Sequence, residues 1–461
     1  MTMLPNSAGA RDLANHLRPY TNYPFVRDNG PLIITRGEGV KVFDEDGKEY
    51  IEGLAGLWCV ALGFGGEKRL VEAATRQMER LPYYQTFFHR GSDVVVDLAE
   101  KLMALAPTPM SKVFFANSGS EANDTAVKLV WYYNNAIGRP KKKKFISRIK
   151  AYHGVTVASA SLTGLPNNHR DFDLPIAGIL HTDCPHYYRF GTPGESEEDF
   201  ASRCAANLEK MILDEGPDTV AAFIAEPVMG AGGVIVPPAT YFEKVQAILK
   251  KYDILMIADE VICGFGRTGN TWGSQTFAIT PDIMTMAKQL SSAYLPISAV
   301  MVSEPIYDAI VDESAKIGVF AHGFTYSGHP VPAAVALETL KIYEERNTFE
   351  YVREIAPHFQ EGLRRFADHP RVGEVRGVGL MGALELVKDK DTKETFDPGD
   401  GVGNAFVACA QESGLLTRAA VDTATFCPPM IISVDEIDEM FDRCAKALDY
   451  LEGVLAERHL I

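Results

Sequence analysis

Apolar residues follow two different spacings along this chain, and the switch between them marks its organisation. Val40-Lys-Val-Phe and Glu49-Tyr-Ile are short extended runs on either side of Glu45-Asp46-Gly47, a hairpin signal, and a short helix ending at Tyr20 precedes them. From about Glu67 apolar positions recur at helical intervals over 67–80 and 92–105. Short apolar runs then alternate with helices: Val113-Phe-Phe-Ala, Phe145-Ile-Ser, Gly178-Ile-Leu, Val220-Ala-Ala-Phe-Ile-Ala, Ile254-Leu-Met-Ile-Ala, Ile283-Met-Thr-Met and Ser298-Ala-Val-Met-Val. Several lack period-two alternation, which suits strands covered on both faces in a mostly parallel sheet, so the predicted fold class is α/β. After His329 a long helical stretch to about Asp368 leads into Val372–Arg376, Leu380–Glu385 and a last helix from about Val434. This α+β tail is expected to pack with the N-terminal meander. The result is a small domain of 1–60 plus 328–461 and a large domain of 61–327, with no internal repeat.

Length agrees with that division, since 461 residues exceed the size at which a single core stops growing. With 46% apolar and 23% charged residues the chain is of ordinary globular composition. Its net charge of −16 repels phosphate backbones and anionic membrane surfaces, so neither nucleic acid nor membrane is an expected partner. The basic run Lys141–Lys144 precedes Phe145-Ile146 and reads as a solvated strand entry. Seven scattered cysteines, an odd number, argue for reduced thiols and hence the cytoplasm. Met1–Leu17 has no apolar core of signal-peptide length, and no apolar run reaches the roughly 18 residues of a membrane span.

Chemistry concentrates in Ile254-Leu-Met-Ile-Ala-Asp259-Glu260-Val261-Ile262-Cys-Gly264-Phe-Gly266-Arg267-Thr-Gly269. Ligands of α/β sheets bind outside the carboxyl ends of the strands, where two carboxylates ending an apolar strand must fall. A carboxylate buried there needs a cationic partner, which a protonated pyridine nitrogen supplies, although an aspartate that merely caps its loop looks the same. Gly264, Gly266 and Gly269 also fit the dinucleotide fingerprint. That fingerprint must open a helix, however, and Asn270-Thr-Trp-Gly273-Ser continues with breakers.

Lys288 comes 29 residues after Asp259, just beyond Asp282-Ile-Met-Thr-Met-Ala287. A lysine ending a buried strand is desolvated, which favours the neutral amine that condenses with an aldehyde; alone, it reads more readily as a lysine reaching solvent. In Asn117-Ser118-Gly119-Ser120-Glu121 a strand runs straight into a helix start whose Gly119 and Ser120 amides can hold an anion, while Ser118 and Glu121 also form a simple capping box. Together a lysine, a strand-end acid and a glycine-serine helix start are the three handles that pyridoxal 5'-phosphate needs.

Asp259-Glu-Val-x-x-Gly-Phe-Gly-Arg-Thr-Gly269 followed by Lys288, with Ser118-Gly-Ser-Glu-Ala122 upstream, resembles the class III pyridoxal-phosphate-dependent aminotransferases of fold type I. Within that class the chain is most similar to the ω-transaminases that move amino groups from amines, β-alanine or taurine to pyruvate. The resemblance implies a large, mostly parallel sheet domain and a smaller α+β domain built from both termini. It implies ping-pong transfer from an amine donor to an oxo-acid acceptor. Lys288 would bond the cofactor and shuttle the proton, Asp259 would hold the ring nitrogen, and Glu226 would be a nearby acidic residue. Gly119 and Ser120 would hold the phosphate, Tyr152 one ring face, and Val261 and Ile262 the other. Thr325 would reach the phosphate of a neighbouring subunit, which implies a homodimer with shared active sites. Tyr23, Phe25, Trp58, Phe87 and Phe88 would form an aromatic pocket, in which Arg418 would pair with a substrate carboxylate and swing away for apolar amines.

Two features stand apart. After Lys288 the family runs through small residues, whereas this chain has Gln289-Leu-Ser-Ser-Ala-Tyr294, which predicts a stiffer loop. His181-x-x-Cys184-x-His186 lacks a completing ligand set, so no metal is expected. Aminomutase, racemase or decarboxylase activity on the same scaffold is the nearest alternative. A nicotinamide-dependent oxidoreductase and a non-catalytic cofactor-binding protein are the more distant ones.

Overall fold

The N-terminal hairpin forms because Asp44 closes it: its Oδ1 accepts from the Asp46 and Lys48 amides at 3.1 and 2.8 Å, and Gly47 takes a φ of 83° at the turn. The strands are β1 (Ile34–Glu38), β2 (Lys41–Asp44) and β3 (Glu49–Glu52), all antiparallel neighbours. The computed structural model describes residues 6–461. Met1 to Pro5, the start of the segment expected to form a short helix, lie outside them. The helix itself spans Ala8–Asn15, shorter than expected, and a second one follows at Tyr23–Asn29, where the Asn22 side chain caps the Phe25 amide.

Each of the seven apolar runs becomes a strand of one central sheet: β4 (Lys112–Ala116), β5 (Lys144–Arg148), β6 (Ile179–Thr182), β7 (Val220–Ala225), β8 (Leu255–Asp259), β9 (Ile283–Met286) and β10 (Ser298–Val302). Their order is β4-β10-β9-β8-β7-β5-β6, with only β10 antiparallel to its neighbours. β7, β9 and β10 are buried at every position, which explains why their sequences show no polar alternation.

The single helical stretch expected after His329 is two helices, Pro330–Glu345 and Thr348–Arg364, separated by Asn347 in the left-handed region at φ 50°. The first packs on helices Lys68–Arg80 and Asp93–Ala104 and on the turn that carries Lys288. The tail then supplies β11 (Val372–Val378), β12 (Met381–Leu386), β13 (Leu415–Leu416), β14 (Arg418–Ala420) and β15 (Thr423–Phe426). β13 pairs in parallel with β3, so the two ends of the chain share a sheet, and β11-β12-β15-β14 make another. On the last helix, Val434–Glu457, Phe441 packs against Phe359, Phe366 and Phe426, with ring centroids 5.4 to 6.0 Å apart. No helix of the described residues is long and apolar enough to cross a membrane.

Candidate active site

Because every strand of the central sheet but β10 points the same way, the carboxyl ends of β4, β5, β7, β8 and β9 open on one edge. Each delivers a segment that sequence reasoning singled out. β4 leads to Gly119 and Ser120, β5 to Tyr152, β7 to Glu226, β8 to Asp259, Val261 and Ile262, and β9 to Lys288, and all of these line one cleft. The cleft encloses about 150 Å³ in a single chain.

Strand alternation turns Asp259 into the cleft and its neighbour Glu260 to the opposite face. There Glu260 accepts from the Gly273 and Ser274 amides at 2.9 and 2.6 Å; burial pushes it up to about 7, and it does not line the cleft. Asp259 is 3% exposed and held by three donors. His153 Nδ1 and Asn123 Nδ2 both reach Oδ2 at 2.8 Å, and the Val261 amide reaches Oδ1 at 3.1 Å. A ring nitrogen that donates to its carboxylate fixes the tautomer of His153 and leaves Nε2, like Asn123 Oδ1, buried without a partner among the described residues. Asn123 and His153 are the residues that sequence reasoning missed. For Asn123, a lone amide on the inner face of helix Gly119–Ala136 was the available signal.

Lys288 follows β9 with φ at 49°, a conformation that a residue other than glycine keeps only where its surroundings enforce it. Those surroundings are explicit. Gln289 Nε2 donates to the Ile262 carbonyl at 3.0 Å, Tyr343 Oη to the Gln289 carbonyl at 2.7 Å, and Ser292 Oγ accepts from the Ala61 and Leu62 amides at 3.0 and 2.9 Å. The unusual Gln289–Tyr294 loop is thus tied at several points. Burial pushes the Lys288 ammonium below its ordinary range, opposed by the nearby acids Asp259 and Glu226. Burial raises Glu226, whose two oxygens accept from the Tyr152 and Gly230 amides at 3.0 and 3.1 Å.

At the far end, Ser118 caps helix Gly119–Ala136 by accepting from the Glu121 amide at 3.2 Å. The amides of Gly119 and Ser120 donate to no acceptor among the described residues. Ser120 Oγ accepts from Val155 N at 3.1 Å, and Gly154, at φ 133°, lies so close that a Cβ there would sit 2.4 Å from that oxygen. Free amides at a helix N-terminus, a buried acid and a desolvated lysine fit the phosphate, ring nitrogen and aldehyde of pyridoxal phosphate.

Residues 24–448 match the family described as aminotransferase class-III. The chain belongs to the class III aminotransferases. A γ-aminobutyrate transaminase 3 of Solanum lycopersicum, named as chloroplastic, is 55% identical over 462 residues, covering 99% of this chain and 89% of its own. A γ-aminobutyrate transaminase 1 of the same plant, named as mitochondrial, is 58% identical over 442 residues, covering 96% and 86%. Among solved structures, an ω-transaminase of Pseudomonas jessenii in complex with PMP superimposes with a TM-score of 0.96 at 55% identity, covering 98% of this chain and 99% of that one. A thermostable ω-transaminase variant with a tryptophan replaced by glycine, engineered for asymmetric synthesis of enantiopure bulky amines, gives 0.95 at 55% identity, covering 97% and 100%. The chain is therefore a pyridoxal-phosphate-dependent transaminase that passes amino groups to an oxo acid.

Other residues implied by the class III resemblance lie outside the cleft as one chain forms it. Trp58 is buried at 3% exposure, Tyr23, Phe25 and Phe88 are exposed, and Phe87 packs on Phe88 and Gly323. Thr325 is exposed, its carbonyl accepting from Tyr83 Oη at 2.7 Å. Arg418, on β14, comes within electrostatic reach of Tyr152, whose phenol lies beside that of Tyr20. The Gly264–Gly269 segment forms turns, and Gly266 is required because a Cβ would meet the Phe349 ring at 2.3 Å. His186 converges with Glu374 and Glu385 and not with His181 and Cys184. Arg376 and Arg189 already neutralise those carboxylates.

Gly154→Ala should displace Ser120 and weaken pyridoxal phosphate binding at least about tenfold, roughly 1.4 kcal/mol, in equilibrium dialysis with an unchanged circular dichroism spectrum. An unaltered Kd would show that the anion end does not depend on this approach.

Proposed function

We propose that this aminotransferase takes its amino group from a primary amine or ω-amino acid and delivers it to pyruvate in two half-reactions at one site. Pyridoxal phosphate supplies an aldehyde that condenses with amines and a ring that takes up negative charge from the substrate carbon. Gly119 and Ser120 would hold its phosphate, Tyr152 one face of the ring, and Val261 and Ile262 the other. Asp259, fixed by His153, Asn123 and its own loop, would hold the ring nitrogen. Lys288, whose ammonium form burial disfavours, would take the proton from the substrate carbon and return it in the second half-reaction. Glu226 holds the Tyr152 segment in place through its amide.

The observation that carries the donor reading is Arg418. Its guanidinium has no carboxylate partner among the described residues, and it comes within electrostatic reach of Tyr152, so it can pair with the carboxylate of an ω-amino acid. The relatives named as γ-aminobutyrate transaminases support such a donor. A pocket walled by Tyr23, Phe25, Trp58, Phe87 and Phe88 would take apolar amines, which the ω-transaminase variant altered at a tryptophan supports.

A homodimer with shared sites accounts for the exposed aromatics. Tyr83 and Tyr326 pack edge-on at 6.0 Å, next to Phe87 and Phe88, and form an apolar surface of the kind that a second copy covers. Thr325 lies on the same surface and would serve the partner's phosphate. The division at about residue 60 and residue 327 stands as the domain proposal, supported by the β3–β13 pairing of the two ends. All seven cysteines are free, which supports a reducing compartment, taken here as the cytoplasm; the plant relatives are named as organellar.

In an amine–pyruvate assay Asp259→Asn should lower turnover about 10²–10³-fold, the scale of losing one preorganised electrostatic contact, with the fold intact. Near-normal turnover would remove the role given to Asp259. Arg418→Ala should lower kcat/KM for γ-aminobutyrate roughly 10- to 150-fold, equivalent to about 1.5–3 kcal/mol, and leave that for an uncharged amine within about threefold. Equal losses on both donors would contradict carboxylate pairing.

A further inference from the structure

Glu52 ends β3 only 7% exposed, yet no lysine or arginine pairs with it among the described residues. Its oxygens accept from backbone instead: Oε1 from the Leu54 amide at 3.3 Å and Oε2 from the Gly56 amide in a close contact. Burial pushes the acid up to about 7 against the pull of those two amides. A carboxylate buried without a cation is costly to keep, so a turn built around one needs a reason.

The turn is Leu54–Cys59. Ala55, Gly56 and Trp58 all take positive φ, at 50°, 68° and 63°, a run that an L-chain does not adopt unless it is held. Each end is anchored to a different part of the site. Gly53 donates to the Leu416 carbonyl at 2.9 Å and accepts from the Cys427 amide at 2.7 Å, on the strands that flank Arg418. Ala61 and Leu62 donate to Ser292, in the loop after Lys288. Between these anchors the turn brings Cys59 within electrostatic reach of Lys288 and buries Trp58, whose Nε1 has no partner among the described residues. Two external anchors fix where the turn starts and stops. Glu52 is the group that fixes its inside.

We propose that Glu52 is a positioning residue, whose carboxylate gathers the Leu54 and Gly56 amides and thereby sets the substrate-facing wall that Trp58 forms where it packs with Ile262 at the cleft. The proposal deepens the donor reading above and rests on it, since it takes Trp58 as that wall. Glu52 touches neither substrate nor cofactor. Its effect falls on which donors fit and not on the proton transfer itself.

Glu52→Gln keeps the shape but points an amide NH2 at one of two amide donors, which breaks one hold on the turn. In the cofactor-loaded protein, hydrogen exchange of peptides covering 53–60 should speed up at least tenfold, with β7 and β8 unchanged. The kcat/KM ratio of 1-phenylethylamine to propylamine should shift at least fivefold, through KM and not kcat. Both changes together support the proposal, and absence of either overturns it. Should Glu52→Gln fail to fold, Gly56→Ala decides on the same two readouts. Its Cβ finds nothing nearer than 3.7 Å but cannot rest at φ 68°, ψ −94°. Wild-type protein that transaminates neither amine would sink the donor reading instead, and exchange alone would then judge the hold of Glu52 on the turn.

Discussion

The site depends on one buried carboxylate that cannot turn. Asp259 sits at the end of a strand flanked by two parallel neighbours, and its oxygens are held by His153, Asn123 and the Val261 amide. Its own strand sets its direction, the strand alternation sends Glu260 away, and the helix that presents Gly119 and Ser120 also carries Asn123. The acid end and the anion end of the cleft are therefore fixed relative to each other by a single helix spanning both.

Around that centre, polar groups are buried in a pattern that stability alone would not select. Lys288 is desolvated and backbone-strained, Glu226 is raised by burial, and His153 and Asn123 each keep an unpartnered atom. Buried groups without partners cost free energy, and they accumulate where a ligand or a reaction uses them. The supports lie one layer out. Gln289, Tyr343 and Ser292 hold the lysine turn, and Glu226 holds the Tyr152 segment.

Much of this was legible along the chain because burial on both faces leaves a plain mark. The unalternated runs at 220–225, 254–258, 283–286 and 298–302 fall in strands of the central sheet, and Asp259 and Lys288 were found by asking what ends the second and third of them. Other features had no such mark. The break at Asn347 is a single left-handed residue within a continuous helical periodicity, and β13 to β15 are too short for a period to appear. His153 matters through what it meets across the fold, Asp259 at a separation of 106 residues, which no local pattern encodes. The aromatic residues stayed open for another reason: Tyr23, Phe25 and Phe88 are exposed on one chain, so whether they wall a pocket depends on what covers them.

The central claim is that the amine of Lys288 bonds the cofactor aldehyde while Asp259 faces the ring. Borohydride reduction of the cofactor-loaded protein, followed by digestion and mass spectrometry of the labelled peptide, reads that bond directly. A single phosphopyridoxyl adduct on Lys288, in the peptide that follows Met286, is the expected result. An adduct on any other lysine, or none at all, would contradict it.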